Sequence, residues 1–225
     1  MEKILKEIKA IETEIEENLW AREVKEEFKK AFKIYQEAEE KLLALDLTKG
    51  DAAFAEQQRV LSYCLLRQGN VLRQTGKGEE ALALSEREIA AARVCENDVA
   101  LGRSLMSNGT NRIIAGDVEK GLEQIEEARE LFESGESYDH KQGLGWVWVL
   151  KADLANGGLI KKEASEIIEV AGRALEVLVP IENWPGVARA YGARAKAHES
   201  LGNEDQATAD RKEQKRYDEM GGQEE

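Results

Sequence analysis

Residues 61–81 read LSYCLLRQGNVLRQTGKGEEA, and residues 101–121 read LGRSLMSNGTNRIIAGDVEKG. Laid over each other they share a skeleton: Leu65, Gly69, Gly76 and Ala81 fall where Leu105, Gly109, Gly116 and Gly121 fall, and Leu122, Ile125 and Ala128 continue the second copy. The pattern returns at Trp148, Ala152, Ala164, Ile168 and Ala171, and again at Tyr191, Ala195, Gly202 and Ala207. A bulky residue and a small one four positions later share a helix face, so the small one lets a second helix approach while the bulky one fills the space beside it. The second small residue, twelve positions on, is the matching notch. Between them Gly76, Gly116 and Gly202 fall where a tight helix-to-helix turn takes a positive φ. Asp117 and Asn203 follow as N-caps.

Upstream, Ile4, Ile8, Ile11, Ile15 and Leu19 recur at steps of three and four, one face of an amphipathic helix over 3–20. Val24, Phe28, Ala31, Phe32, Tyr35, Ala38, Leu42 and Leu45 mark a second helix over 24–45, ended by the polar run Asp46–Asp51. Residues 1–50 thus read as a helix hairpin. The chain has 2 prolines, Pro180 and Pro185, where average usage gives roughly eleven, so nearly all of it is free to be helical.

This skeleton resembles the tetratricopeptide repeat (TPR) family, whose helix pair carries large and small residues at these offsets. The likeness covers 58–220, and the hairpin fits more loosely through Leu19, Ala31, Tyr35 and Ala38. It implies an all-α, right-handed superhelix of about five antiparallel helix pairs. The expected organisation is one domain over 1–220, with the hairpin 1–50, repeats 58–96, 99–136, 143–180 and 186–220, and a disordered tail at 221–225. The repeats are 40, 43 and 43 residues apart, counted at Gly69, Gly109, Ala152 and Ala195, against roughly 34 for the simple repeat. Variants of this length resemble those of bacterial peptide-sensing regulators and kinesin light chains.

With 32 Lys+Arg against 45 Asp+Glu the net charge is −13, which disfavours a polyanion such as nucleic acid. The longest apolar runs, such as Trp146–Leu150, are far shorter than the roughly 20 residues of a membrane helix, and the first residues do not read as a signal peptide. No membrane partner and a cytoplasmic location are expected. Cys64 and Cys95, 31 residues apart, have neither disulfide-framework nor zinc spacing and read as small buried hydrophobes.

Catalytic, cofactor and metal sites are not expected. Gly76-Lys77-Gly78-Glu79-Glu80-Ala81 matches a loose dinucleotide pattern, but a helix precedes it and two acids stand where a pyrophosphate would sit. The two histidines, His140 and His198, have no Cys or His at i+3 or i+4. His140 reads as a solvated loop residue and His198 as a packing residue. The reading is of a non-enzyme.

What remains is a surface. In TPR-like proteins the first helix of each pair lines a concave wall that binds peptides or partner helices. The repeat register projects Tyr63, Leu66, Arg67, Asn70 and Arg73 inward, then Arg103, Met106 and Thr110, then Trp146, Val149 and Asp153, then Arg189, Lys196 and Glu199. The ligand-binding candidates are Arg67, Asn70, Arg73, Arg103, Met106, Trp146, Val149, Arg189 and Lys196. Five basic residues face two acidic ones, which favours an acidic or C-terminal peptide partner; the alternative is that these arginines pair with Glu across neighbouring repeats. Trp146, about 200° around the helix from the bulky-position Trp148, is expected on that wall. Of the carboxylate clamp with which some family members grip chaperone tails, only Asn70 matches; Leu66, Thr110, Trp146 and Leu150 hold the other places. The alternative is a homo-oligomer that stacks through the N-terminal hairpin or an end repeat.

Overall fold

The computed structural model describes residues 2–221. Among them lie ten α-helices: α1 (Glu2–Asn18), α2 (Phe28–Leu43), α3 (Phe54–Gln74), α4 (Gly78–Val94), α5 (Asp98–Ile114), α6 (Val118–Glu133), α7 (Tyr138–Asn156), α8 (Ala164–Leu178), α9 (Trp184–Ser200) and α10 (Glu204–Gly221). No strand occurs among the described residues. Residues 222–225, most of the expected tail, lie outside the described residues, and Gly221 ends α10. The extra repeat length goes into longer first helices: α3 starts at Phe54 rather than 58, and α7 at Tyr138 rather than 143.

The structure divides the chain into two compact units between Gln124 and Ile125, inside α6. The physical reason is the repeat itself, since each helix pair packs against its neighbours and no common centre gathers the whole chain.

In the first unit one core joins α1, α2 and α3: Ile8, Ile15, Ala31, Tyr35, Ala38, Leu42, Val60 and Cys64 are fully buried. Full burial of each large apolar side chain here is worth about 1.5–3 kcal/mol. The two N-terminal helices do not follow at once. Leu19–Glu23 forms a single π-helical turn, and Glu26 takes φ +60° before α2 begins. Val24, expected on the α2 stripe, is half exposed because it sits in this break. In the second unit Val149, Ala174, Leu175, Leu178, Val187 and Ala190 form an apolar cluster between α7, α8 and α9.

The repeat positions behave as their sizes require. Leu65, Ala81, Leu105, Ile125, Ala128, Ala152, Ala171 and Ala195 are at most 1% exposed, and Gly76, Gly116 and Gly202 have φ of +77°, +94° and +73°. Leu122, Ala164, Ile168 and Tyr191 are only half-buried, and Trp148 departs likewise. In its bulky position it is half-buried, flanked by the Lys151 ammonium and the Arg173 guanidinium at 5.0 and 5.2 Å from its ring centre. Both cysteines are buried, and burial pushes the Cys64 thiol up to about 12.

Two glycines of the skeleton differ in what they demand. A Cβ on Gly121 would lie 2.6 Å from the Gly109 carbonyl oxygen and 2.5 Å from Ile113 Cγ1, so α5 and α6 meet backbone to backbone. A Cβ on Gly69 meets nothing within 4 Å. Gly121→Ala is therefore expected to destabilise the protein by about 1–3 kcal/mol in a denaturant melt. Gly69→Ala, relieved of glycine's unfolded-state entropy, is expected to be neutral or stabilising by up to about 1 kcal/mol.

Candidate functional site

Because α3 and α5 belong to one unit and α7 and α9 to the other, the expected inward residues fall into two groups. On α3 the dominant feature is an arginine already engaged. Arg67 Nε donates to Glu23 Oε2 at 3.1 Å, and a second guanidinium nitrogen bonds Glu23 Oε1. The Tyr35 hydroxyl donates to Glu23 Oε2 at 2.7 Å. The Glu23 side chain is 3% exposed and that of Arg67 15%. Burial, and then the adjacent Glu23 carboxylate, push the Tyr35 hydroxyl well above its ordinary pKa. Arg67 is thus a tie between α3 and the π-helical turn rather than a free cation on a wall.

The same hairpin is held at a second point. Glu12 of α1, buried, accepts from Lys9 at 2.8 Å and from Arg59 of α3 at 2.7 Å. Burial works against its charge, but these two cations hold its carboxyl below the ordinary range.

Further along α3, Arg73 donates to Asn70 Oδ1, and both are half-buried. Arg103, Met106 and Thr110 of α5 are half-buried, the Thr110 hydroxyl donating back to the Met106 carbonyl at 2.7 Å.

In the second unit Val149 is not a wall residue. It is 1% exposed, inside the apolar cluster, because α8 and α9 both pack on that side of α7. Trp146 is half-buried and packs against the same cluster, so its ring is partly a core side chain. Asp153, seven residues on and so on the same face of α7, accepts from Arg189 Nε of α9 at 2.6 Å. That pair is open, with the arginine side chain 61% exposed and the aspartate 30%. Lys196, seven residues beyond Arg189 on α9, is exposed. Glu199 is engaged by Arg211 of α10 at 2.9 Å.

The histidines lie apart from these faces. Ser137 Oγ sits 2.7 Å from His140 Nδ1, and the His140 ring covers Gly135, so it is half-buried at the start of α7 rather than loose in a loop. His198 lies 4.0 Å from Asp210, whose carboxylate accepts from Arg194 Nη2 and Nε at 2.7 and 2.8 Å. Among the described residues no group of three or more His, Cys, Asp or Glu is placed to hold a metal ion. No described helix is long and apolar enough to cross a membrane.

Sequence reasoning missed Glu23, read as neither core nor site, and Glu88, a fully buried carboxyl on α4. A signal for Glu88 was present: it stands seven residues after Ala81 and three after Ser85, on the buried stripe of its helix.

No protein-family model matches the chain, and no curated protein matches it. Solved structures do. The chain is similar to BtubC (BKLC) from P. vanneervenii, at 14% identity and TM-score 0.64, with 96% of this chain and 91% of that one covered. It is also similar to the nearly identical TPR-like repeats of a putative kinesin light chain from Podosopora anserina, at 12% identity and TM-score 0.59, covering 94% and 96%. At such identities the likeness shows the fold, and the fold is that of TPR-like helix-pair repeats.

The two engaged arginines should answer differently to mutation. Glu23→Ala strands a buried guanidinium and is expected to cost about 3–5 kcal/mol. Asp153→Ala breaks an exposed pair and is expected to cost under about 1 kcal/mol. Denaturant melts of the two variants check the contrast. Trp146→Ala, which strips a side chain from the second cluster, is expected to lower the melting temperature.

Proposed function

We propose that the chain is a non-catalytic scaffold for protein or peptide partners, and that the face formed by α7 and α9 grips an acidic or C-terminal peptide segment. The TPR-like fold supports the scaffold role. The observation that carries the specificity is the open Arg189–Asp153 pair at 2.6 Å. Asp153 occupies the arginine with the same carboxylate chemistry that a partner would bring, on a surface where exchange of one carboxylate for another costs little. Arg189 offers the planar fork that fits a carboxylate, Lys196 adds a second cation on the same helix face, and the half-buried Trp146 ring supplies an apolar edge. Arg67, by contrast, is committed to Glu23 and contributes only through structure. Asn70, Arg73, Arg103 and Met106 of the first unit are proposed as a separate contact surface on α3 and α5.

Binding of fluorescein-labelled peptides with acidic C-termini, followed by anisotropy, tests this. Arg189→Ala is expected to weaken binding by about tenfold or more, and added salt to weaken it further. Asp153→Asn is expected to tighten it, because the internal competitor for Arg189 is gone. Peptides ending in Lys binding as well as acidic ones, or Asp153→Asn weakening the acidic peptides, would refute the assignment.

A second reading, self-association through the first hairpin, is favoured by Trp20 and Val24, which are 57% and 50% exposed at the π-helical turn. Light scattering should then show a mass that rises with concentration in the parent chain and stays that of a monomer in Trp20→Ala.

A further inference from the structure

Where α4 packs on α5, a run of buried polar side chains faces another. On α4 it is Ser85 and Glu88, at 1% and 0% exposure, following Ala81 at 0%, with Ile89, Ala91 and Ala92 also buried on that helix. On α5 it is Ser104, Ser107, Asn108 and Asn111, none more than 7% exposed. The helices pair in one antiparallel register. Asn111 Nδ2 donates to the Ala81 carbonyl at 3.4 Å, Asn108 Nδ2 donates to Ser85 Oγ at 2.7 Å, and Glu88 faces the hydroxyls of Ser104 and Ser107.

The middle rung is satisfied, Asn108 also accepting from Arg112 Nε at 2.9 Å, and the first only in part, because Asn111 donates while its Oδ1 finds no donor. The third is not. Among the described residues neither Glu88 oxygen, nor Ser107 Oγ, has a partner in hydrogen-bonding geometry. A carboxylate so placed would be a buried charge without adequate donors, whereas a carboxylic acid is a small polar group that can also donate. The charged group that acts on it from the helices packed against α4 is Arg73 of α3, itself half-buried and bonded to Asn70; α5 presents only the two hydroxyls.

We propose that the α4–α5 seam is a proton-operated joint, closed while the Glu88 carboxyl is neutral and loosened when it ionises. Burial pushes that carboxyl from its ordinary 4.5 up to about 8, against the weaker opposing pull of Ser104, Ser107 and Arg73. Between those two values the folded chain holds a proton that the unfolded chain has released. The stabilisation is therefore full below the ordinary carboxyl pKa and is lost as pH rises through the folded value.

Melting temperature and amide hydrogen exchange, corrected for intrinsic rate, are measured at pH 6 and pH 9 for the parent and for Glu88→Gln, whose amide mimics the neutral acid. The parent is expected to melt several degrees lower at pH 9, with α4 and α5 amides exchanging about tenfold faster or more while α8 and α9 change little. Glu88→Gln should lose most of that pH dependence. Equal pH profiles in the two proteins, or exchange that speeds up evenly along the chain, would overturn the proposal. Should Glu88→Gln fail to fold, a carbon-13 titration of the Glu88 carboxyl in the parent decides alone: a midpoint above pH 6.5 supports the joint, and one at or below it overturns it.

Discussion

Two helix backbones approach only as closely as the side chains between them permit, and at Gly109 and Gly121 that limit is set by hydrogen atoms. A Cβ on Gly121 would run into the Gly109 carbonyl, so here α5 and α6 touch through their main chains. At Gly69, the corresponding position of α3, a Cβ meets nothing within 4 Å, so a methyl is accommodated there. Leu65 and Leu105, one turn before their small residues, are buried because the partner helix comes near enough to cover them. The positive φ values at Gly76, Gly116 and Gly202 then return the chain within three or four residues, before the notch has been passed.

Once apolar crossings hold the helices, charges at their edges divide into two kinds. Glu23 and Arg67 are taken out of water with Tyr35, and the arrangement is tolerable because each carboxylate oxygen finds a donor. Such a tie fixes which turn of α3 meets the end of α1, and the π-helical turn brings Glu23 to it. Arg189 and Asp153 remain in water, where pairing adds little and exchange is easy. Repeat register treats both arginines alike, as cations on a first helix. Only their burial separates a structural tie from a surface that can receive a partner.

The fold was legible because it depends on size at fixed spacing, which a sequence displays directly. Helix order, turn glycines and buried small residues follow from Leu65, Gly69, Gly76 and Ala81 and their copies. The candidate site was less legible because side-chain direction depends on which neighbours cover a helix. Val149 is one residue from Trp148 and three from Trp146, and its burial is decided by α8 and α9 closing on that side of α7, which no local pattern records. Glu23 was hidden by a local departure from the 3.6-residue period: five residues of π-helix move it off the wet face. Glu88 was hidden by abundance, one acid among 45 Asp and Glu, most of them read as the solvated side of an amphipathic helix.

The two kinds of helix seam also differ in what they can specify. Between α8 and α9 the contact is made by Ala174, Leu175, Leu178, Val187 and Ala190, an apolar surface whose energy changes little if the helices slide slightly. Between α4 and α5 a slide by one turn would part Asn108 from Ser85 and Asn111 from Ala81, leaving buried amides without partners, so the register is fixed at the expense of burial energy. In an array where each pair leans only on its neighbours, one weaker and more specific contact changes the cooperativity of the whole unit, because unfolding need not propagate across it. A carboxyl placed in that contact and nowhere else along it makes the coupling between α3–α4 and α5 depend on one proton, while the apolar crossings on either side do not.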